Sequence, residues 1–337
     1  MHNLLDPAIL FFIFGALAGA VKSNLEIPPP ISRFLALYLL MALGLKGGFA
    51  LAHSGFTAQV ATSLGCAVLL AVAVPLLGYC LLRQVLSGFD AAAVAATYGS
   101  VSAVTFVTAV QTLENQQVVF GGYMSAAMAL MESPAIILAI VFADALRRQP
   151  ASAMAATSGG AAVLALPSSP QRAGVPFGKI LHESFTDGAQ LLLLGAMLIG
   201  ILSGDAGKVA MQPFSGDLFK GMLAFFLLDM GLLTARSLPQ VRGKSPWLLA
   251  YAVLGPLTHA SLALGLCALL KIPAGDATLL IVLAASASYI AVPAVMRYAV
   301  PEANPSLYFG LSLGITFPLN ILFGIPLYSY VAKTVLM

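Results

Sequence analysis

The sequence predicts an all-α polytopic membrane protein: ten transmembrane helices in two inverted repeats of five, the fourth helix of each repeat broken. Three observations carry that expectation. The 337 residues are 60% hydrophobic and 9% charged, with a mean hydropathy of +0.95, whereas soluble domains are about a quarter charged. Apolar runs of roughly 20 residues, the length that spans hydrocarbon, recur along the chain between charges, Pro and Gly. The two halves also carry matching features in the same order.

Taken in order, the runs fall near 7–21, 34–51, 59–82, 91–112 and 118–145, then 189–205, 217–235, 246–270, 276–296 and 306–332. The first, DPAILFFIFGALAGA, ends in small residues as a signal-peptidase site would. The preceding MHNLLD carries Asp6 and no Lys or Arg, so it reads as a membrane helix. Cys66, Cys80 and Cys267 all fall inside apolar runs and read as small buried residues rather than bridges or metal ligands. Between the fifth and sixth runs, QPASAMAATSGGAAVLALPSSPQRAGVPFG is rich in Ala, Ser, Gly and Pro and reads as a flexible linker. The expected organisation is a first repeat over 1–148, a linker over 149–178 and a second repeat over 179–337. With the N-terminus outside, 11 of the 16 basic residues fall on the cytoplasmic side and 5 outside. That satisfies the positive-inside bias, so the linker is expected in the cytoplasm and both termini outside an inner or plasma membrane.

An odd number of spans per half inserts the second half upside down, the arrangement of many secondary transporters. The halves overlay with an offset near 186 residues. LLMALGL (Leu39 to Leu45) then lies beside LLDMGLL (Leu227 to Leu233), with Gly44 opposite Gly231. Asp90 falls opposite Asp276, Ser100 opposite Ser286 and Ser102 opposite Ser288, while Glu114 matches Glu302 just after each fourth span. A shared order at a nearly constant offset is the mark of a repeat.

The fourth spans carry the chemistry. Backbone that is not helical survives at membrane depth only where it is buried in protein or lines a cavity. Tyr98-Gly99-Ser100-Val101-Ser102 has a glycine, and Ala291-Val292-Pro293 has a proline that removes a ladder hydrogen bond and crowds the carbonyl four residues back, at Tyr289. Two such breaks meeting at mid-depth would aim half-helix N-termini at a common point, where backbone N–H groups and serine hydroxyls hold an anion. Unwound carbonyls and hydroxyl oxygens there also suit Na⁺. A Ser-x-Ser pair otherwise serves close helix packing, and Tyr289 either fills a gap between helices or hydrogen-bonds the solute. Glu132, before Ser133-Pro134, is the first candidate for a cation ligand or proton carrier; otherwise it satisfies backbone freed by Pro134. Asp229 follows, with His259 as its expected partner, in a functional or a structural pair. Lys46 and Arg236 sit near span ends, where they can snorkel, and are expected to play no role.

These segments identify a likeness. GAMLIGIL, LLDMGLLTARSLPQV, YAVLGPLTHA, LAASASYIAVPAVMRYAVPEANPS and GLSLGITFPLNILFGIPLY in the second half, with LLMALGLKGG, YGSVSAVTF and MESPA in the first, resemble the SbtA-type sodium-dependent bicarbonate transporters. The resemblance implies a trimer, Na⁺-coupled uptake of bicarbonate and a cytoplasmic PII-like regulator. It implies a substrate site on Gly99, Ser100, Ser102, Thr105, Ser286, Ser288 and Tyr289. Cation binding or coupling is expected at Glu132, Ser286, Ser288 and Asp229, with Na⁺ as coupling ion and no organic cofactor. Other small anions or carboxylates, coupled to Na⁺ or H⁺, are the alternative substrates. The chain carries no phosphate-binding loop and no HExxH spacing, which argues against ATP-driven transport and a zinc hydrolase.

Overall fold

The computed structural model describes residues 5–55, 57–148, 188–241 and 243–336. The expected linker, the first residues of the second repeat, and Arg172, Lys179 and Arg242 lie outside them. Among the described residues there are helices and no strand.

Local chemistry starts or stops several of the helices. Helix α1 (Pro7–Ala20) has Pro7 at its first position, and the Asp6 carboxylate accepts from the Ala8 N–H at 2.8 Å. Helix α2 (Pro29–Ser54) also opens on proline, which places its start five residues ahead of the apolar run expected from 34. Gly55, at φ +68°, ends it. Thr57 caps α3 (Ala58–Leu82), and Ser87 caps α4 (Gly88–Gly99). After a break come α5 (Ala103–Asn115) and α6 (Met124–Arg148). Helix α6 starts six residues later than the run expected from 118, because 116–123 forms a loop instead. The second half holds α7 (Gly188–Gln212), kinked at Gly204, α8 (Leu218–Ser237) and α9 (Pro246–Leu269). It ends with α10 (Ala274–Ala285), a second break, α11 (Ala291–Ala299) and α12 (Pro305–Leu336), which includes two π turns at Ser312–Thr316 and Asn320–Gly324. Among the described residues, seven helical stretches are long and apolar enough to cross a membrane, α4–α5 and α7–α8 each counting as one.

The helices pack as two bodies. In the first, α1 lies along α8 and α2 along α7. Small residues let these backbones touch: a methyl group added at Gly231 would run into the Phe12 carbonyl, at Gly15 into the Leu228 carbonyl, and at Gly44 into the Leu193 carbonyl. In the second body, α3 packs with α4 and α6, while α10 packs with α9 and α12.

Polar clamps close both ends of the second body. At one end Asp90 accepts from the Asn304 N–H at 2.8 Å, and Arg147 pairs with Glu302 at 2.8 Å. At the other end the buried Asp276 accepts from the Gly121 N–H at 2.6 Å and from Tyr123, and Lys333 donates to Gln116 at 2.7 Å. Cys66 and Cys267 are buried as expected. Cys80 is exposed on the outer side of α3.

The close approach of α1 and α8 yields a prediction. Gly231→Val should lower the stability of the detergent-solubilised protein by about 1–3 kcal/mol, the scale of overpacking. Gly221→Ala, on the same helix with open space around it, should leave it unchanged in a thermal unfolding series.

Candidate functional site

The site is made where α4 and α10 stop. Ser100 (φ −90°, ψ −179°) and Ser286 (φ −82°, ψ 170°) are both extended, so each chain leaves its helix at a serine. The two openings satisfy one another. The Ser102 N–H donates to Ser286 Oγ at 2.9 Å, and the Ser288 N–H donates to the Thr97 carbonyl at 2.8 Å. Buried backbone groups left unpaired would each cost about 1–3 kcal/mol, so each break depends on the other.

Each break then becomes the start of a half-helix. Ser102 caps α5, its Oγ accepting from the Thr105 N–H at 3.2 Å and from the Thr105 hydroxyl at 2.9 Å. Ser288 Oγ accepts from the Val292 N–H at 3.3 Å in the first turn of α11. The first N–H groups of a helix have no partner within it and carry its positive end.

Those N-termini face a cavity of about 660 Å³ between the two bodies. Val101, Ser102, Ala103 and Val104 from the first break line it, with Ser288, Tyr289, Ile290 and Ala291 from the second. Glu132 on α6 joins them. The rim includes Arg33, Gly188 and Tyr298, on the end of the molecule where α6 finishes and α7 begins. Two half-helix N-termini, two serines, a tyrosine and a carboxylate therefore share one hollow whose other lining is mainly apolar, with Arg33, Gln190 and Tyr298 as further polar groups. Such a hollow can hold a small anion on N–H groups and hydroxyls, with oxygens left for a hard cation.

The sequence-expected residues divide by position. Ser102, Ser288, Tyr289 and Glu132 line the cavity. Ser286 sits behind them, where its hydroxyl accepts from Ser102 and donates to the Leu283 carbonyl at 2.8 Å. Thr105 also stands behind, bonded to Ser102. Gly99 abuts Pro75 of α3, so tightly that a methyl group there would overlap the proline ring. The Ser100 hydroxyl is buried without a hydrogen-bond partner. The Tyr289 hydroxyl donates to Met230 Sδ at 3.6 Å, and its ring packs edge-on against Phe317 at 5.1 Å.

Three expectations are corrected. Asp229 does not pair with His259; it accepts from the Ser32 hydroxyl on α2, within the first body. His259 instead lies edge-on to Tyr251 at 6.4 Å, its Nδ1 without a hydrogen-bond partner. The second break lies at 286–290, ahead of Pro293, which occupies the first turn of α11, where a missing N–H costs nothing. Lys46 does not simply snorkel: it pairs with Glu114 at 3.0 Å and lies over the Phe219 ring at 4.2 Å. One partner was missed altogether. Asn320, in a π turn of α12, donates to the Ala285 carbonyl at 2.8 Å and so caps the end of α10; nothing in its local sequence points to that role.

Broken helices meeting over one cavity inside an apolar, polytopic helical protein define the class: a multi-pass membrane protein. Comparison with protein families makes the assignment more particular. Residues 7–333 match the model of the Na⁺-dependent bicarbonate transporter superfamily, and the chain belongs to that family. No characterised protein compared with the chain matches it.

Ser286→Ala strands the Ser102 N–H in a buried break. It should lower stability by about 1–3 kcal/mol, a larger loss than Thr278→Ala, whose hydroxyl only back-bonds to the Ala274 carbonyl within α10. Paired thermal unfolding curves would read the difference.

Proposed function

We propose that the protein imports bicarbonate by Na⁺ symport, the second body moving against the first to expose the breaks alternately to the two sides of the membrane. The observation that carries this reading is the meeting of two half-helix N-termini, those of α5 and α11, on one cavity with Ser102 and Ser288. In the proposed site the anion takes N–H groups at the start of α5 and α11 together with the Ser102, Ser288 and Tyr289 hydroxyls. Ser100, Ser286, Thr105 and Gly99 shape the two openings. Glu132 contributes charge or an oxygen toward Na⁺, and Asp229 remains a coupling candidate from the first body, held by Ser32. Na⁺ beside the anion cancels part of its charge, so each ligand raises the other's affinity by the same factor.

The ten-helix, inverted-repeat architecture belongs to the same proposal, and paired contacts support it. The packing of α1 on α8 answers that of α2 on α7. Asp90 with Asn304 answers Asp276 with Gly121, and Arg147 with Glu302 answers Lys333 with Gln116, each at the offset near 186 or within a few residues of it. The orientation follows from the basic residues: the cavity mouth faces the cytoplasm, and both termini lie outside the inner or plasma membrane. A trimer and a PII-like regulator complete the reading as proposals drawn from the likeness in sequence.

Uptake of labelled bicarbonate into proteoliposomes, with Na⁺ replaced by K⁺ or choline, tests substrate and coupling ion together. Uptake should require Na⁺ and should not be matched by small carboxylates. Ser288→Ala should reduce it at least tenfold, and Glu132→Gln should weaken its dependence on Na⁺. Equal fluxes in all cations, or a carboxylate transported in place of bicarbonate, would overturn the assignment.

A further inference from the structure

On the face of the molecule opposite the cavity mouth, the end of α5 is tied to the first body three times. Glu114 pairs with Lys46 of α2 through both carboxylate oxygens, at 3.0 and 3.3 Å. The neighbouring Asn115 donates to the Asp6 carboxylate, ahead of α1, at 2.7 Å and accepts from Lys220 of α8 at 3.3 Å. Lys46 also rests over the Phe219 ring of α8. Helix α5 begins at the first break, so these bonds join the element that forms the site to the body it is proposed to move against. A second cavity of about 540 Å³ opens beside them, lined by Lys46, Glu114, Gly47, Ser125 and Lys220 among others. On the other face the same two bodies are parted by the 660 Å³ cavity.

We infer that Lys46, Glu114 and Asn115 form a clasp that holds the route from this second cavity to the breaks shut while the opposite route is open, and that the clasp parts when the second body moves. The inference rests on the proposed transport reading and adds to it the residues that set the balance between the two access states. Lys46 and Glu114 are 24% and 31% exposed. The pair is therefore partly screened and can separate, which suits a latch better than a permanent brace. Lys46 and Glu114 are positioning residues here, because the site itself is lined by other side chains.

The test is labelling of a cysteine placed at Met128, which is 3% exposed and lines the first cavity, beyond the clasp. In a background with Cys80→Ala, a membrane-impermeant thiol reagent added from the face of the second cavity should label Met128→Cys slowly. Glu114→Gln or Lys46→Gln should raise the labelling rate about fivefold, the scale a partly screened ion pair with a ring contact supports. The charge-reversed pair Lys46→Glu with Glu114→Lys should return it toward the starting rate. If Glu114→Gln fails to reach the membrane, Asn115→Ala reads the same clasp. Unchanged labelling in the single variants, or a reversed pair no better protected than Lys46→Glu alone, would overturn the inference. Labelling needs no substrate, so unchanged labelling beside normal Na⁺-dependent bicarbonate flux would discard the clasp and keep the transport reading. Faster labelling without such flux would do the reverse.

Discussion

Everything in this molecule turns on one constraint: peptide groups taken out of a helix within the bilayer must find partners in the protein. The chain meets it by letting two interruptions serve each other. The hydroxyl of Ser286 receives the N–H of Ser102, and the carbonyl of Thr97 receives the N–H of Ser288. Neither opening is complete alone, so α4–α5 and α10–α11 have to be brought together before either can hold its shape. Packing supplies the rest. Pro75 presses on Gly99 from α3, and Asn320 holds the end of α10 from α12. Beyond the Thr105 and Val292 N–H groups, which Ser102 and Ser288 take, the first residues of both half-helices line the cavity.

Much of this architecture was legible in the sequence because the membrane narrows the choices. Apolar runs of spanning length could only be helices, and serines at matched positions of two such runs marked where helices stop. Pro293 is not the breaker its position suggests: a proline in a first turn interrupts nothing, and the backbone opens earlier, at Ser286 to Ile290. Asp229 and His259 are both ionisable groups within spans, which suggests a pair, yet the partner of Asp229 is Ser32, 197 residues away in sequence. Composition says which residues are costly to bury; it does not say which face of a helix they occupy. The partner of Lys46 is hidden in the same way, since its bond to Glu114 exists only once α2 and α5 are side by side.

The residues expected at the candidate site separate into two layers. Of the expected substrate residues, Ser102, Ser288 and Tyr289 reach the hollow, whereas Gly99, Thr105 and Ser286 stand one layer behind as supports. A period of two in Ser-x-Ser announces a change of backbone but leaves open which hydroxyl turns inward. The two cavities, one on each face between the same two bodies, give the proposed movement a geometric basis: the breaks lie at the inner end of one, and the Lys46–Glu114 bond borders the other.

The central claim is that the paired breaks form a single site for anion and cation together. Equilibrium binding of bicarbonate to the purified protein, titrated at several Na⁺ concentrations, and of Na⁺ at several bicarbonate concentrations, tests it most directly. The account predicts that each ligand strengthens the other by the same factor, and that this coupling disappears when Ser102 and Ser288 are both replaced by Ala. Bicarbonate affinity indifferent to Na⁺, or coupling that survives the double replacement, would contradict it.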